Sequence, residues 1–109
     1  SGYVPTIKNM RINSTNDAME LNNTFSFNLE NLTLNSTDGY SLKMGDIDRP
    51  KFTDISATSK YGVYFNNVTN AEIIGKTGFK KLVSTDGDAI YFAGKSDEVT
   101  IKNVMLKAP

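Results

Sequence analysis

Chemistry in this chain has to come from a short set of side chains. The 109 residues include no His and no Cys, so imidazole bases, thiolate nucleophiles, Ser-His-Asp triads and ordinary zinc sites are excluded. Carboxylates, Lys, Arg, Tyr and hydroxyls remain. Two carboxylates at a suitable separation can hydrolyse a glycosidic bond, and several carboxylate and carbonyl oxygens can hold calcium. The candidates are Asp38, Asp86 and Asp88, with Asp17 beside them, each directly ahead of Gly or Ala at the start of an alternating apolar segment. Asp86 and Asp88 are close enough in sequence to be the candidate calcium ligands. Arg49, in Asp46-Ile47-Asp48-Arg49-Pro50, is a candidate anchor for an acidic substrate. A plainer reading competes with each: Asp before Gly or Ala bonds nearby turn N–H groups, and one Arg among acids forms a surface ion pair.

Charge narrows the partners. Lys+Arg and Asp+Glu are 12 each, for a formal net charge of +0, which removes the long-range attraction that nucleic acid or anionic lipid binding relies on. No apolar run approaches the roughly 20 residues of a membrane span, and no charged-then-apolar signal segment opens the chain. The expectation is one soluble domain over residues 1–109, with no nucleic acid or membrane partner. Ser1-Gly2 resembles a tag remnant.

The elements that must position the carboxylates emerge from a repeat. It reads Ile7-Lys8-Asn9-Met10-Arg11-Ile12, Leu29-Glu30-Asn31-Leu32-Thr33-Leu34, Phe52-Thr53-Asp54-Ile55-Ser56-Ala57, Phe79-Lys80-Lys81-Leu82-Val83-Ser84 and Ile101-Lys102-Asn103-Val104-Met105-Leu106. Successive starts lie 22, 23, 27 and 22 residues apart. A second block follows the first four copies: Ala18-Met19-Glu20-Leu21, Gly39-Tyr40-Ser41-Leu42, Gly62-Val63-Tyr64-Phe65 and Ala89-Ile90-Tyr91-Phe92. Alternation in short pieces broken by Asn, Asp, Gly, Ser and Thr predicts short strands and turns, and helix has no uninterrupted stretch to form in. A unit of this size cannot bury its own apolar side, so it must stack on copies of itself.

Ile-Xaa-Asn-Xaa-Xaa-Ile, a polar turn, then Asp-Gly or Asp-Ala before apolar-Xaa-apolar, repeated over Ile7 to Leu106, resembles the right-handed parallel β-helix of the pectin-lyase-like superfamily. The resemblance implies an all-β, right-handed single-stranded parallel β-helix of roughly four to five coils of about 22 residues. The domains it resembles are normally about twice this long or more, so the chain reads as a small module or a fragment of a longer β-helix. Pectate lyases in that superfamily use a basic residue, often Arg, with calcium-binding acids, which is what the resemblance implies for Arg49, Asp46 and Asp48. The local sequence does not reproduce a complete lyase motif, and the absence of His removes the usual signature of the polygalacturonase branch.

Residues one coil apart in a solenoid lie about 4.8 Å apart. Asn9, Asn31, Asp54 and Asn103 are predicted to stack as a corner ladder, because Asn tolerates a left-handed backbone. Lys81 breaks that ladder in the longest repeat, where Gly75 and Gly78 permit a detour. The expected inward rows are Ile7, Leu29, Phe52, Phe79 and Ile101; Ile12, Leu34 and Leu106 with Met10, Leu32, Ile55, Leu82 and Val104; and Met19/Leu21, Tyr40/Leu42, Val63/Phe65 and Ile90/Phe92. That pattern turns Glu20, Ser41, Tyr64 and Tyr91 outward, with Ala18, Gly39, Gly62 and Ala89 flanking them. Sugars pack their C–H faces on aromatic rings, so this face is the candidate ligand platform; cross-strand stacking for stability is the plainer reading.

Open strand edges at both ends need cover, from neighbouring copies, from Tyr3-Val4-Pro5 folding over one end, or from a larger parent. Three function classes follow. The first is a non-enzymatic extracellular, cell-surface or virion-associated module, resembling those of tail-spikes, appendages or adhesins, which binds glycans and self-associates through its ends. The second is a polysaccharide lyase or glycoside hydrolase fragment acting on a uronic-acid-rich polymer through Asp38, Asp86, Asp88 and Arg49, with calcium as its only candidate cofactor. The third is a structural spacer. The first is favoured.

Overall fold

Short apolar alternations separated by turn-forming residues become strands that pair only with the strand one coil away. The computed structural model describes residues 4–22 and 26–109. Its strands are β1 (Thr6–Ser14), β2 (Met19–Asn22), β3 (Asn28–Ser36), β4 (Leu42–Asp48), β5 (Lys51–Ser59), β6 (Val63–Thr69), β7 (Glu72–Ile74), β8 (Lys80–Ser84), β9 (Ile90–Ala93), β10 (Thr100–Lys102) and β11 (Val104–Lys107). Among the described residues there is no helix. A seven-stranded sheet runs β1-β3-β5-β7-β10, with β8 beside β5 and β11 beside β8; a four-stranded sheet runs β2-β4-β6-β9. Every pairing is parallel, so the chain is a parallel β-solenoid of about 4 turns of about 23 residues.

The core is a single column between the two sheets. Leu29, Phe52 and Ile73 stack in one row, Leu32 and Ile55 in the next, Leu34, Ala57 and Leu82 in a third, and Met44 and Phe65 face them from the smaller sheet. Phe65 is fully buried and stacks on Phe52 at 5.8 Å. The first and last coils have a neighbour on one side only, so Met10, Phe92, Met105 and Leu106 stay exposed.

Left-handed corners let the chain turn without breaking register. Asn9, Asn31, Asp54 and Asn103 hold φ of 60°, 51°, 57° and 55°, and the Asn31 carboxamide donates to Asn9 Oδ1 at 3.0 Å. All four positions turn the chain through a left-handed corner, and the ladder bond joins Asn9 and Asn31. Two further corners per coil were not anticipated: Asp46, Asn67 and Gly94 share one, and Arg49, Asn70 and Glu98 share another, all with φ between 55° and 63°.

Several expectations are corrected. Ile73, not Phe79, completes the Leu29 and Phe52 row, and Phe79 is 74% exposed. Gly75, not Lys81, occupies the corner in the fourth coil, where Asn103 Nδ2 bonds its carbonyl across 28 residues of chain; the detour follows Gly75, and Leu82 pairs with Ala57. In the smaller sheet Leu42 and Met44, not Tyr40 and Leu42, align with Val63 and Phe65. Ser41 is therefore 1% exposed rather than outward, its hydroxyl donating to the Gly62 carbonyl at 3.2 Å. Gly39, Gly62 and Ala89 are likewise buried rather than outward, and the stretch Lys43 to Arg49 is mostly strand β4 rather than a long turn. Val4 and Pro5 run on in line with β1, the Pro5 carbonyl accepting from Asn28 N at 2.9 Å, instead of crossing the end of the stack. Tyr3 lies outside the described residues.

Candidate functional site

The outer face of the four-stranded sheet is built by register. Glu20, Lys43, Tyr64 and Tyr91 are consecutive cross-strand partners on β2, β4, β6 and β9. Lys43 thus takes the place expected for Ser41. Tyr64 and Tyr91 stack nearly parallel, 5.7 Å between centroids and 14° between planes. Tyr40 and Tyr61, from the turns ahead of β4 and β6, extend the strip: Tyr40 lies 5.4 Å from Tyr64 and 5.6 Å from Tyr61. Lys43 Nζ sits 5.8 Å from both the Tyr40 and Tyr64 rings, and Lys60 Nζ 5.3 Å from Tyr61, within cation–π range. Four tyrosines and two ammonium groups form one continuous surface, with Tyr61 and Tyr91 exposed and the others half-buried.

Its edge at the first coil is acidic. Asp17 Oδ1 accepts from the Tyr40 backbone N at 2.9 Å. Partial burial works against the Asp17 charge, but contact with Glu20, the Tyr40 N–H and the nearby Lys43 together hold its carboxyl below the usual range. The hydrogen bond with Asp17, and then its negative charge, push Glu20 up, so Glu20 is the partner that takes the proton first.

The remaining acids do not gather. Asp38 lies in the turn before β4 and Arg49 directly after it, so the two stand at opposite ends of one strand. Arg49 Nε pairs with Asp48 at 3.3 Å on an exposed corner. Hydrogen bonds from Thr69 and Asn70, more than the Arg49 charge, lower the Asp48 carboxyl. Asp46 accepts from Asn67 Nδ2 at 3.1 Å, a corner bond between coils. Asp86 and Asp88 are exposed on the turn before β9, and among the described residues no three acidic side chains converge where a cation would sit. No family model, curated protein or solved structure matches this chain.

The turns that carry Tyr40, Tyr61 and the acids are organised by a feature the repeat analysis missed. Ser14, Ser36, Ser59 and Ser84 are aligned across four coils. The last three are buried, and each Oγ accepts from the N–H three residues on, at Gly39, Gly62 and Gly87, at 2.9 Å. Ser36 and Ser84 also donate to a carbonyl of the preceding coil, at Asn16 and Lys60. The signal was present as Ser-Thr-Asp-Gly at both Ser36–Gly39 and Ser84–Gly87. It fixes the turns, and the exposed Asp38 and Asp86 are its passengers.

At the opposite corner Asp54 departs from its Asn neighbours and has a use for the change. Its Oδ1 accepts from Lys76 N at 2.8 Å and Thr77 N at 3.0 Å, clamping the fourth-coil detour. The Thr77 N–H is the main cause that holds the Asp54 carboxyl low. A folded-state pKa below the unfolded 3.8 means that this contribution is fully present above that value and is lost as pH falls through the folded pKa. Thermal unfolding of Asp54→Asn should therefore show a lower midpoint than the parent chain at neutral pH and a shrinking gap below pH 3.8. A gap that widens in acid would contradict the clamp.

Proposed function

We propose that the outer face of the four-stranded sheet is a carbohydrate-binding surface, carried by a non-enzymatic extracellular, cell-surface or virion-associated module of the pectin-lyase-like kind. The observation that carries this reading is the unbroken strip of Tyr40, Tyr61, Tyr64 and Tyr91, with neighbouring rings 5.4 to 5.7 Å apart. A pyranose laid on such a strip covers its C–H face with aromatic carbon, while its edge hydroxyls meet Lys43, Lys60 and the Asp17/Glu20 pair. Tyr91, on the edge strand β9, is 49% exposed and so open to a ligand. The dispersal of Asp38 and Arg49 along β4 weighs against a lyase or hydrolase centre on this face. Calcium, if it contributes, would bridge ligand and acids rather than occupy a preformed cage.

A glycan array probed with and without calcium tests this. Tyr64→Ala with Tyr91→Ala should weaken binding about tenfold or more, at about 1 kcal/mol per stacked ring, and leave the thermal midpoint within a few degrees of the parent. Unchanged binding with a lowered midpoint would make the strip a stability device. Release of shortened uronic-acid oligomers in the same wells would give the acids a catalytic role.

A further inference from the structure

We propose a second carbohydrate site, on the seven-stranded sheet, that takes an acidic glycan. It goes beyond the tyrosine face and shares no residue with it. Outward positions there align into Arg11, Thr33 and Ser56 across β1, β3 and β5, and into Asn13, Asn35, Thr58 and Val83 across β1, β3, β5 and β8. The result is a surface of hydroxyls and carboxamides, in which Asn35 Nδ2 donates to Asn13 Oδ1 at 2.9 Å. Asn35 keeps its side-chain oxygen for another donor.

Two adjoining grooves lie over this surface, one of about 430 Å³ that Asn13 helps to line and one of about 340 Å³ that Ser56 helps to line, and both include Asn35 and Thr58. The second is walled by Phe79, Lys80 and Lys81. This wall exists because the fourth coil detours after Gly75, and it is positioned because Asp54 clamps the detour through the Lys76 and Thr77 N–H groups. The loop projects a 74% exposed Phe79 and an exposed Lys81 at the groove's margin.

Charge selects the ligand. Among the described residues no carboxylate lines either groove; the nearby Asp54 accepts from its own loop, and its charge is felt by Lys80. Two ammonium groups beside neutral hydroxyl and carboxamide donors suit a sugar carrying a carboxylate or a sulfate, with ring hydroxyls on Thr33, Asn35, Ser56 and Thr58 and a C–H face on Phe79. A single-stranded nucleic acid is the weaker fit, since the groove offers one aromatic ring rather than a series for successive bases and the chain's net charge of +0 supplies no general attraction.

Titration calorimetry on the whole chain decides the matter, with a uronic-acid oligosaccharide, a sulfated one, an uncharged glucan of the same length and a single-stranded DNA of equal charge. The expected result is binding of either or both acidic sugars, weakening as salt rises, with the sulfate and carboxylate arms showing which group is preferred. Lys80→Ala with Lys81→Ala should weaken that binding about fivefold or more, the loss of two partly screened ion pairs. Phe79→Ser should weaken it independently, and Tyr64→Ala with Tyr91→Ala should leave it unchanged. Equal affinity for the uncharged glucan, tighter binding of DNA, no binding of either acidic sugar, or loss in the tyrosine variant in place of the lysine variant would overturn the proposal. Only that last result would point back to the tyrosine face, so failure here and failure there are separable.

Discussion

Phe65→Ala should lower the unfolding free energy by about 3–5 kcal/mol, the range for emptying a fully buried aromatic site. Phe65 is 0% exposed and sits mid-column, with Phe52 stacked at 5.8 Å and Phe92 edge-on at 5.7 Å. In a narrow core each inward residue touches both the facing sheet and its own row above and below. No second layer stands behind to relax into the gap. Domains of this size hold about 5–15 kcal/mol in total, so the variant should unfold at a markedly lower urea concentration, followed by far-UV circular dichroism. Phe92→Ala is the internal control: that ring occupies the same row but is 43% exposed at the last coil, so its loss should cost clearly less. Equal effects would mean that the column is not the source of stability.

Gly62→Ala should be about as damaging for a different reason, backbone rather than volume. Gly62 has φ +82°, where an L side chain is strained, and an added Cβ would be driven against the carbonyl oxygens of Asp88 and Ala89 in the next coil. Those atoms belong to the ladder: the Ala89 carbonyl accepts from Val63 N at 3.0 Å. Gly62 is also a junction, its N–H donating to Ser59 Oγ and its carbonyl accepting from Ser41 N and the Ser41 hydroxyl. Left-handed strain of about 1–2 kcal/mol, added to a separated coil contact, puts the loss at about 3 kcal/mol or more. Gly87→Ala isolates the cause. The Gly87 N–H donates the same kind of bond to a serine hydroxyl, yet an added Cβ there meets nothing closer than 3.6 Å, so that variant should stay within about 0.5 kcal/mol of the parent. A thermal melt in which the two glycine variants coincide would remove the steric account.

The stacking itself was legible because a solenoid repeats its physics in every coil. Asn9, Asn31, Asp54 and Asn103 could be aligned by eye, and their left-handed φ follows from residue type. Register was harder. Tyr40, Leu42 and Met44 have the same parity, and alternation is blind to a slip of two residues, so the pattern could not tell which pair stacks on Val63 and Phe65. That slip misplaced Ser41 and hid Lys43 from the candidate site. Phe79-Lys80-Lys81-Leu82 imitated the repeat, whereas the true continuation, Ile73 followed by Gly75, shows Gly where its neighbours show Asn or Asp. The scattered acids were legible as candidates, but their bonds to corners and turns depend on which coils meet, and no local pattern holds that information.

The detour after Gly75 has a consequence for how such a molecule can change. Lengthening a strand by one residue would swap inside for outside along everything that follows, but here the extra residues enter at a corner and the frame recovers at once: Ile101 returns over Ile73 and Leu106 over Leu82. The architecture therefore tolerates additions as a sentence tolerates a parenthesis, at the joints and nowhere else. A lineage of such chains can try new loops at its corners while the column beneath is inherited untouched.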